Sequence, residues 1–283
     1  MKNTSLITQT HVYFKKVFRI SLREKAWKYI IFAAIISFIV AAITGPDMFK
    51  NFDRTNSGYF TLCSACIWIG IFNSIQSVCR EHEIIRAEYR QGMKISAYIF
   101  ANVCWQALLC LVQSAIIFVI SCIFTDFGKS AHLLVNPYVE VFITVYLLTF
   151  GAAVLGIMVS SLAGTPATAM TIMPFVLIVQ LIMSGVLFEL KDASEAVSYI
   201  TLSKWGMSSF GSISNLNGYH LAIEEPLRSS GALMPGVSVM PNKNEFYSHE
   251  SARLFISWAW IFGLVVFSTI VSIAALKIKN RDS

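Results

Sequence analysis

Seven charged residues crowd the stretch from Cys79 to Lys94, CREHEIIRAEYRQGMK: Arg80, Glu81, Glu83, Arg86, Glu88, Arg90 and Lys94. Their chemistry is charge pairing in water. Glu83 and Arg86, three apart, can pair on a helix whose other side carries Ile84, Ile85 and Tyr89. A solvated turn needs no apolar side, so a docking element competes with a plain loop here. A second group is the thiols. All six cysteines (Cys63, Cys66, Cys79, Cys104, Cys110, Cys122) precede residue 125, and Cys63-x-x-Cys66 has the spacing of a redox or zinc pair. No second pair or nearby histidine completes a ligand set, so small apolar packing is the better reading. His11, His82, His132, His220 and His249 are scattered. Neither a G-x-x-x-x-G-K-[ST] phosphate loop nor a nucleophile–base–acid set is present. A third group is uncharged amides inside apolar runs: Asn73, Gln76, Asn102, Gln106, Gln113 and Gln180. Asn102, Gln106 and Gln113 share one helical face, and Cys66, Ile69, Asn73 and Gln76 share another. Interhelical hydrogen bonding, at about 0.6–2 kcal/mol each, and the lining of a polar path both account for such residues.

The elements that must position these groups are membrane helices. The 283 residues are 55% hydrophobic and 13% charged, with a mean hydropathy of +0.63; a soluble domain is about 25% charged. Runs near 29–46, 59–79, 95–124, 137–160, 166–188 and 253–276, free of charge apart from Glu140 and Arg253 near their ends, are long enough to cross about 30 Å of hydrocarbon. The fold class is therefore all-α, a polytopic membrane protein of six spans. The charged 80–92 segment lies between two such runs and must stand in water, because a midplane charge costs about 2.5–3.5 kcal/mol. Residues 8–27 alternate Tyr13, Phe14, Val17, Phe18 and Ile20 with Lys15, Lys16, Arg19 and Arg23, as an amphipathic helix in the headgroup layer would. No small-residue cleavage site marks a signal peptide.

Orientation follows from lysine and arginine. The N-terminal segment, the 80–94 loop and the tail hold 14 of the 22, which places both termini in the cytoplasm. The third run is too long for one upright helix, and Ile95 to Phe100 are expected to lie along the inner interface. Pro174 should kink the fifth span. Gly151, Gly156, Gly164 and Gly185 suit close helix packing. Residues 189–251 form the outer loop, with short helices dipping back into the outer leaflet between Glu189 and Phe210. The spans carry almost no ionisable group, Glu140 at the outer end of the fourth being the nearest, which disfavours proton- or ion-coupled carriage.

The run Glu88-Tyr89, Gly92, Ser96-Ala97-Tyr98 resembles the first cytoplasmic loop and following span of type-2 ABC exporter permeases, above all the G subfamily of drug and lipid exporters. Pro174, Met183-Ser184-Gly185 and Leu202-Ser203-Lys204-Trp205-Gly206 resemble that family's fifth span with its Ser-Gly turn and re-entrant helices. The resemblance runs in order from about Phe14 to Phe210. It implies a connecting helix at 8–27 and a coupling helix at 80–92 that meets an ATP-binding cassette subunit through Glu81, Glu83, Arg86, Glu88 and Arg90. It pairs Glu88 with Lys16. Spans two and five of two permease copies, identical or not, would enclose a cargo cavity at Cys66, Ile69, Asn73, Leu177, Ile178 and Leu181. Val186 and Leu187 would form an outer valve. The chain would be no enzyme and hold no cofactor; ATP and Mg would sit on the partner ATPase. Lipid is the remaining partner, nucleic acid is not one, and the setting is the cell membrane. The resemblance implies export of an amphipathic or hydrophobic cargo such as lipid, drug or peptide. A polymer exporter of the same superfamily and a non-transporting membrane regulator or immunity protein are the alternatives.

Overall fold

The computed structural model describes residues 5–24, 26–129, 133–134, 136–188, 190–219 and 245–281. Among these the secondary structure is entirely helical. Helix α1 spans Leu6–Arg23, α2 Trp27–Thr44, α3 Phe52–Ser74, α4 His82–Arg90 and α5 Ile95–Phe124. They are followed by α6 Pro137–Leu162, α7 Pro166–Ile182, α8 Ala193–Ser198, α9 Leu202–Ile213 and α10 Ser251–Arg281. Five helical stretches are long and apolar enough to cross a membrane: α2, α3 with its continuation to Arg90, α5, α6 and α10. Helix α7 is apolar but has 17 residues. The chain is a multi-pass membrane protein.

The centre of the fold is α3 against α6. Gly70 of α3 lies so close to α6 that a Cβ there would collide with the Thr149 carbonyl, and Gly156 of α6 faces Ser74 and Ile71 of α3 in the same way. Small residues permit that approach, which replaces lipid contacts with dense helix packing. Ser74 Oγ then reaches across and donates to the Ala153 carbonyl at 2.6 Å. Of the four glycines expected at such contacts, Gly151 and Gly156 do serve there. Gly164 instead faces open space, and Gly185 forms a turn at φ +75°, where an L side chain would be strained.

Several expected boundaries move for local reasons. The second span begins at Phe52 rather than 59, its first turn taking in Asp53 and Arg54, and its regular helix stops at Ser74. Helix α5 is unbroken over 30 residues, with Ile95 to Phe100 continuous with the rest of the helix. At about 45 Å it outruns the hydrocarbon, and the surplus is buried: Ile95, Ala97, Tyr98 and Ile99 are 0–2% exposed, and Ile95, Tyr98 and Ile99 lie in a second apolar cluster beside α4. Helix α10 is also longer than expected. Its last turns carry Lys279, whose Nζ donates to the carbonyls of Ser161, Leu162 and Ala163 at 2.7–2.9 Å and so caps α6. Helix α7 starts on a Thr165 cap, with the Thr168 amide donating to Thr165 Oγ1, runs through Pro174 and ends at Ile182, short of the expected 188. Beyond it Ser184 Oγ donates to the Leu181 carbonyl and accepts from the Val186 amide, closing the Ser-Gly turn.

Helix α9 is buried along its whole length among α3, α6 and α10. Trp205 stacks on Trp260 with ring centroids 5.0 Å apart, and Phe210 stacks on Tyr59 at 4.9 Å. Lys204 Nζ donates to Ser198 Oγ at 2.8 Å and lies over the Tyr199 ring. Burial lowers its pKa. Glu140 is buried too and accepts from the Leu133 and Leu134 amides, so its carboxylate fastens the N-terminal end of α6. The Asn- and Pro-rich part of the outer loop, 220–244, lies outside the described residues.

Candidate coupling surface and cargo path

Helix α4 is nine residues long, too short to persist alone. Packing on one side holds it. Ile85 is fully buried in the second apolar cluster with Val78, Met93, Tyr98, Ile157 and Leu276. Ser160 Oγ, at the end of α6, accepts from the amides of Val78 and Cys79 at 3.1 Å each and so caps the turn leading into α4. Ile84 and Tyr89, expected on the same apolar side as Ile85, point outward instead, 49% and 36% exposed, beside exposed Glu83 and Arg90. Glu83 and Arg86 form no ion pair among the described residues; Arg86 turns partly inward, its Nε buried.

Three contacts latch α1 to this element. Gln9 Oε1 accepts from the Lys94 amide at 3.0 Å, Lys16 Nζ meets Glu88 Oε1 at 2.7 Å, and Arg80 donates to Glu24 Oε2 at 2.8 Å. Spacings of seven and eight residues are about two helical turns each, so all three project from one face. The Lys16 and Glu88 side chains are 27% and 29% exposed, the two ends of the latch being more open. Tyr13 lies beside the pair. Its pKa is pushed up to about 12, by burial first and then by the negative charge and hydrogen bonding of Glu88. The Tyr13 ring also meets Tyr98 edge-on at 6.1 Å. Tyr98 in turn donates to Glu81 Oε2 at 2.9 Å, and burial holds the Glu81 pKa above the usual carboxylate range. The sequence offered Lys16 as a partner; Gln9, Glu24, Tyr98, Ser160 and Lys279 were missed because their partners lie 17 to 118 residues away.

The expected path residues separate. Cys66 and Ile69 are 0% and 1% exposed, inside the single chain on the side of α3 turned to α6, so in this conformation they line no open path. Asn73 pairs with Gln113 of α5 through both amides, at 2.6 and 3.2 Å, and also lines a cavity among α1, α2, α3 and α5. Leu177 is buried against α3, and Gln180 Oε1 accepts from the Ser203 amide at 3.1 Å. Ile178 is half exposed and Leu181 partly so. The outward stripe of α3 is Trp68 and Phe72, and that of α7 is Phe175, Ile178 and Val179. Val186 packs against the main core, while Leu187 is exposed beside Phe188. No group of three metal-ligating side chains occurs among the described residues, and the six thiols are unbridged.

The chain thus joins an amphipathic helix latched to a charged hairpin, tightly packed long apolar helices and a short buried helix. The family described as ABC-2 type transporter matches residues 8–213, and the chain belongs to it. The chain is similar to the ABC transporter ATP-binding/permease protein Rv1747 of Mycobacterium tuberculosis. They are 25% identical over 224 residues, which cover 73% of this chain and 25% of that protein. The chain thus spans about a quarter of the length of the curated relative it matches.

Proposed function

We propose that this ABC transporter membrane subunit is the permease half of an ATP-driven exporter. It works as a dimer of permease copies and passes an amphipathic or hydrophobic cargo out of the cytoplasm by alternating access. ATP and Mg are bound by an ATP-binding partner; the name of the Mycobacterium relative joins the two functions, and the present chain carries no phosphate loop. The observation that carries the reading is α4. It is rigidly seated through Ile85 and latched to α1 through Lys16–Glu88, yet presents Ile84 and Tyr89 outward. An exposed apolar pair on a held, charged helix fits a protein contact better than it fits water.

In this reading closure of the ATPases pushes on α4, and α1 carries the displacement because the two share the latch. The cavity lies between the α3 and α7 stripes of the two copies, with Ile178 and Leu181 on its wall and Val186 and Leu187 above. The setting is the cell membrane, with both termini in the cytoplasm and six spans counting α7. Purification in mild detergent tests the reading. An ATPase should co-purify, and its hydrolysis should respond to amphipathic cargo. A chain that purifies with no ATPase, and gains none when candidate ATPase subunits are co-expressed, defeats it.

A further inference from the structure

A cavity of about 140 Å³ opens at the inner end of the helix bundle, walled by α1, α2, α3 and α5, with Phe72 of the outward α3 stripe and Met170 of α7 also lining it. It would hold about four or five waters at about 30 Å³ each. Its lining is half polar. Glu24 and Glu81 bring two carboxylates against one guanidinium, that of Arg80, which already serves Glu24 at 2.8 Å and Gln76 Oε1 at 3.1 Å. Lys16, the next cation, is taken by Glu88. Burial keeps Glu81 above its ordinary pKa; the Tyr98 hydroxyl and the Lys16 charge act against that shift, and the negative charges of Glu88 and Glu24 add to it.

The α5 side adds Asn102 and Gln106, both more than nine-tenths buried. The Asn102 amide donates to the Tyr98 carbonyl, while Gln106 Oε1 has no protein partner. A buried amide oxygen left unpaired costs about 1–3 kcal/mol, and Gln106 is among the residues that line the cavity. The rest of the wall, Val17, Ile20, Trp105 and Leu109, is apolar or aromatic.

We propose that this cavity binds the protonated amine of an amphipathic molecule at the level of the inner leaflet, with the ammonium against Glu81 and the Gln106 amide and the apolar tail along Trp105 and Leu109. The excess of carboxylate attracts a cation, the amides accept its N–H groups, and the apolar wall excludes a bare inorganic ion. Two sources share this chemistry: the ethanolamine headgroup of a membrane lipid and a free amphipathic amine. The inference deepens the exporter reading by naming the chemistry of a ligand, and it rests on that reading only where the ligand is called cargo.

The test uses the full chain in phosphatidylcholine nanodiscs. Dodecylamine and, as the neutral control, dodecanol are titrated in, and binding is read by native mass spectrometry. Dodecylamine should bind saturably, and Gln106→Leu and Glu81→Gln should each weaken it about tenfold or more, as the loss of a hydrogen bond to a charged group implies. Dodecanol should be indifferent to both. Equal binding of amine and alcohol, or amine binding untouched by either variant, overturns the proposal. Unfolding midpoints of the two variants, compared with the parent chain, separate a lost site from a lost fold; should both fold poorly, competition between dodecylamine and dodecyltrimethylammonium on the parent chain decides. The trimethyl compound lacks N–H donors and should bind at least tenfold more weakly, and equal affinity overturns the assignment. Extraction from bilayers of phosphatidylethanolamine and phosphatidylglycerol distinguishes the sources. Selective retention of the former supports a resident headgroup, and dodecylamine binding without retention supports a free amine. No ATPase is needed, so a chain that binds amine but transports nothing loses the exporter reading and keeps this site.

Discussion

At the scale of single residues, the Lys16–Glu88 pair can be weighed. Exposed pairs contribute about 0–1 kcal/mol, whereas breaking a buried pair costs about 3–5. With both side chains a little over a quarter exposed, Glu88→Gln should cost about 1–2 kcal/mol and should abolish cargo-stimulated ATP hydrolysis while leaving membrane insertion intact. Lys16→Glu should fail in the same way, and Lys16→Glu with Glu88→Lys should recover part of both stability and coupling. A double variant no better than the sum of its singles would show that the two are uncoupled. Tyr13 gives a pH signature. Its folded pKa of about 12 lies above the ordinary value of 10.0, so the fold favours the neutral phenol. Its contribution is whole below pH 10 and is lost as pH rises through about 12. The difference in phenolate absorbance between the parent and Tyr13→Phe should appear near pH 12; ionisation at pH 10 would mean that Tyr13 is not buried against Glu88.

At the scale of elements, α4 divides into an anchor and a contact surface. Ile85 is fully buried, so Ile85→Ala should cost about 2–5 kcal/mol and weaken ATPase association by unseating the whole helix. Ile84→Ala with Tyr89→Ala removes exposed groups and should leave the unfolding midpoint within experimental error while weakening ATPase association at least tenfold. Pull-down together with thermal unfolding separates the two effects. A surface double variant that still binds its ATPase at full affinity would leave α4 as a reinforced turn. Helix α3 sorts its residues in the same manner. A thiol probe from the bilayer or bulk water should label Trp68→Cys in a chain otherwise lacking cysteine, and should spare a chain that keeps Cys66 as its single cysteine, because Cys66 is fully buried. Rapid labelling of Cys66 in the resting state would place it on the path after all.

At the scale of the whole molecule, the basic residues and the helix count make a joint prediction. A reporter fused after Ser283 should face the cytoplasm, and one inserted near Asn217 should face outward. A C-terminus outside would mean an odd number of crossings and would remove α7 from the spans. The outer turn after α7 belongs to this scale as well, because a valve needs both copies. Val186→Ala with Leu187→Ala should uncouple hydrolysis from cargo movement with unchanged expression, and unchanged transport would make the turn a plain helix end.

The sequence by itself determined what depends on solvent. Long charge-free runs must be membrane helices because lipid cannot hydrogen-bond a bare backbone, and a dense charge cluster must leave the hydrocarbon, so the helical class, the inner hairpin and the amphipathic α1 were legible. So was Lys16 as the partner of Glu88, through the likeness to a known family. Tertiary structure decided which face of each helix is inside. Periodicity offered α3 one uncharged stripe containing Cys66 and Ile69; the fit of Gly70 and Gly156 between α3 and α6 turned it inward and left Trp68 and Phe72 facing out. The same holds for Ile84 and Ile85, neighbours in sequence on opposite sides of α4. Contacts such as Ser160 with the Val78 amide, or Lys279 with the end of α6, join residues 82 and 116 to 118 positions apart. No local pattern encodes them, because their energy arises only when helices distant in the chain lie side by side.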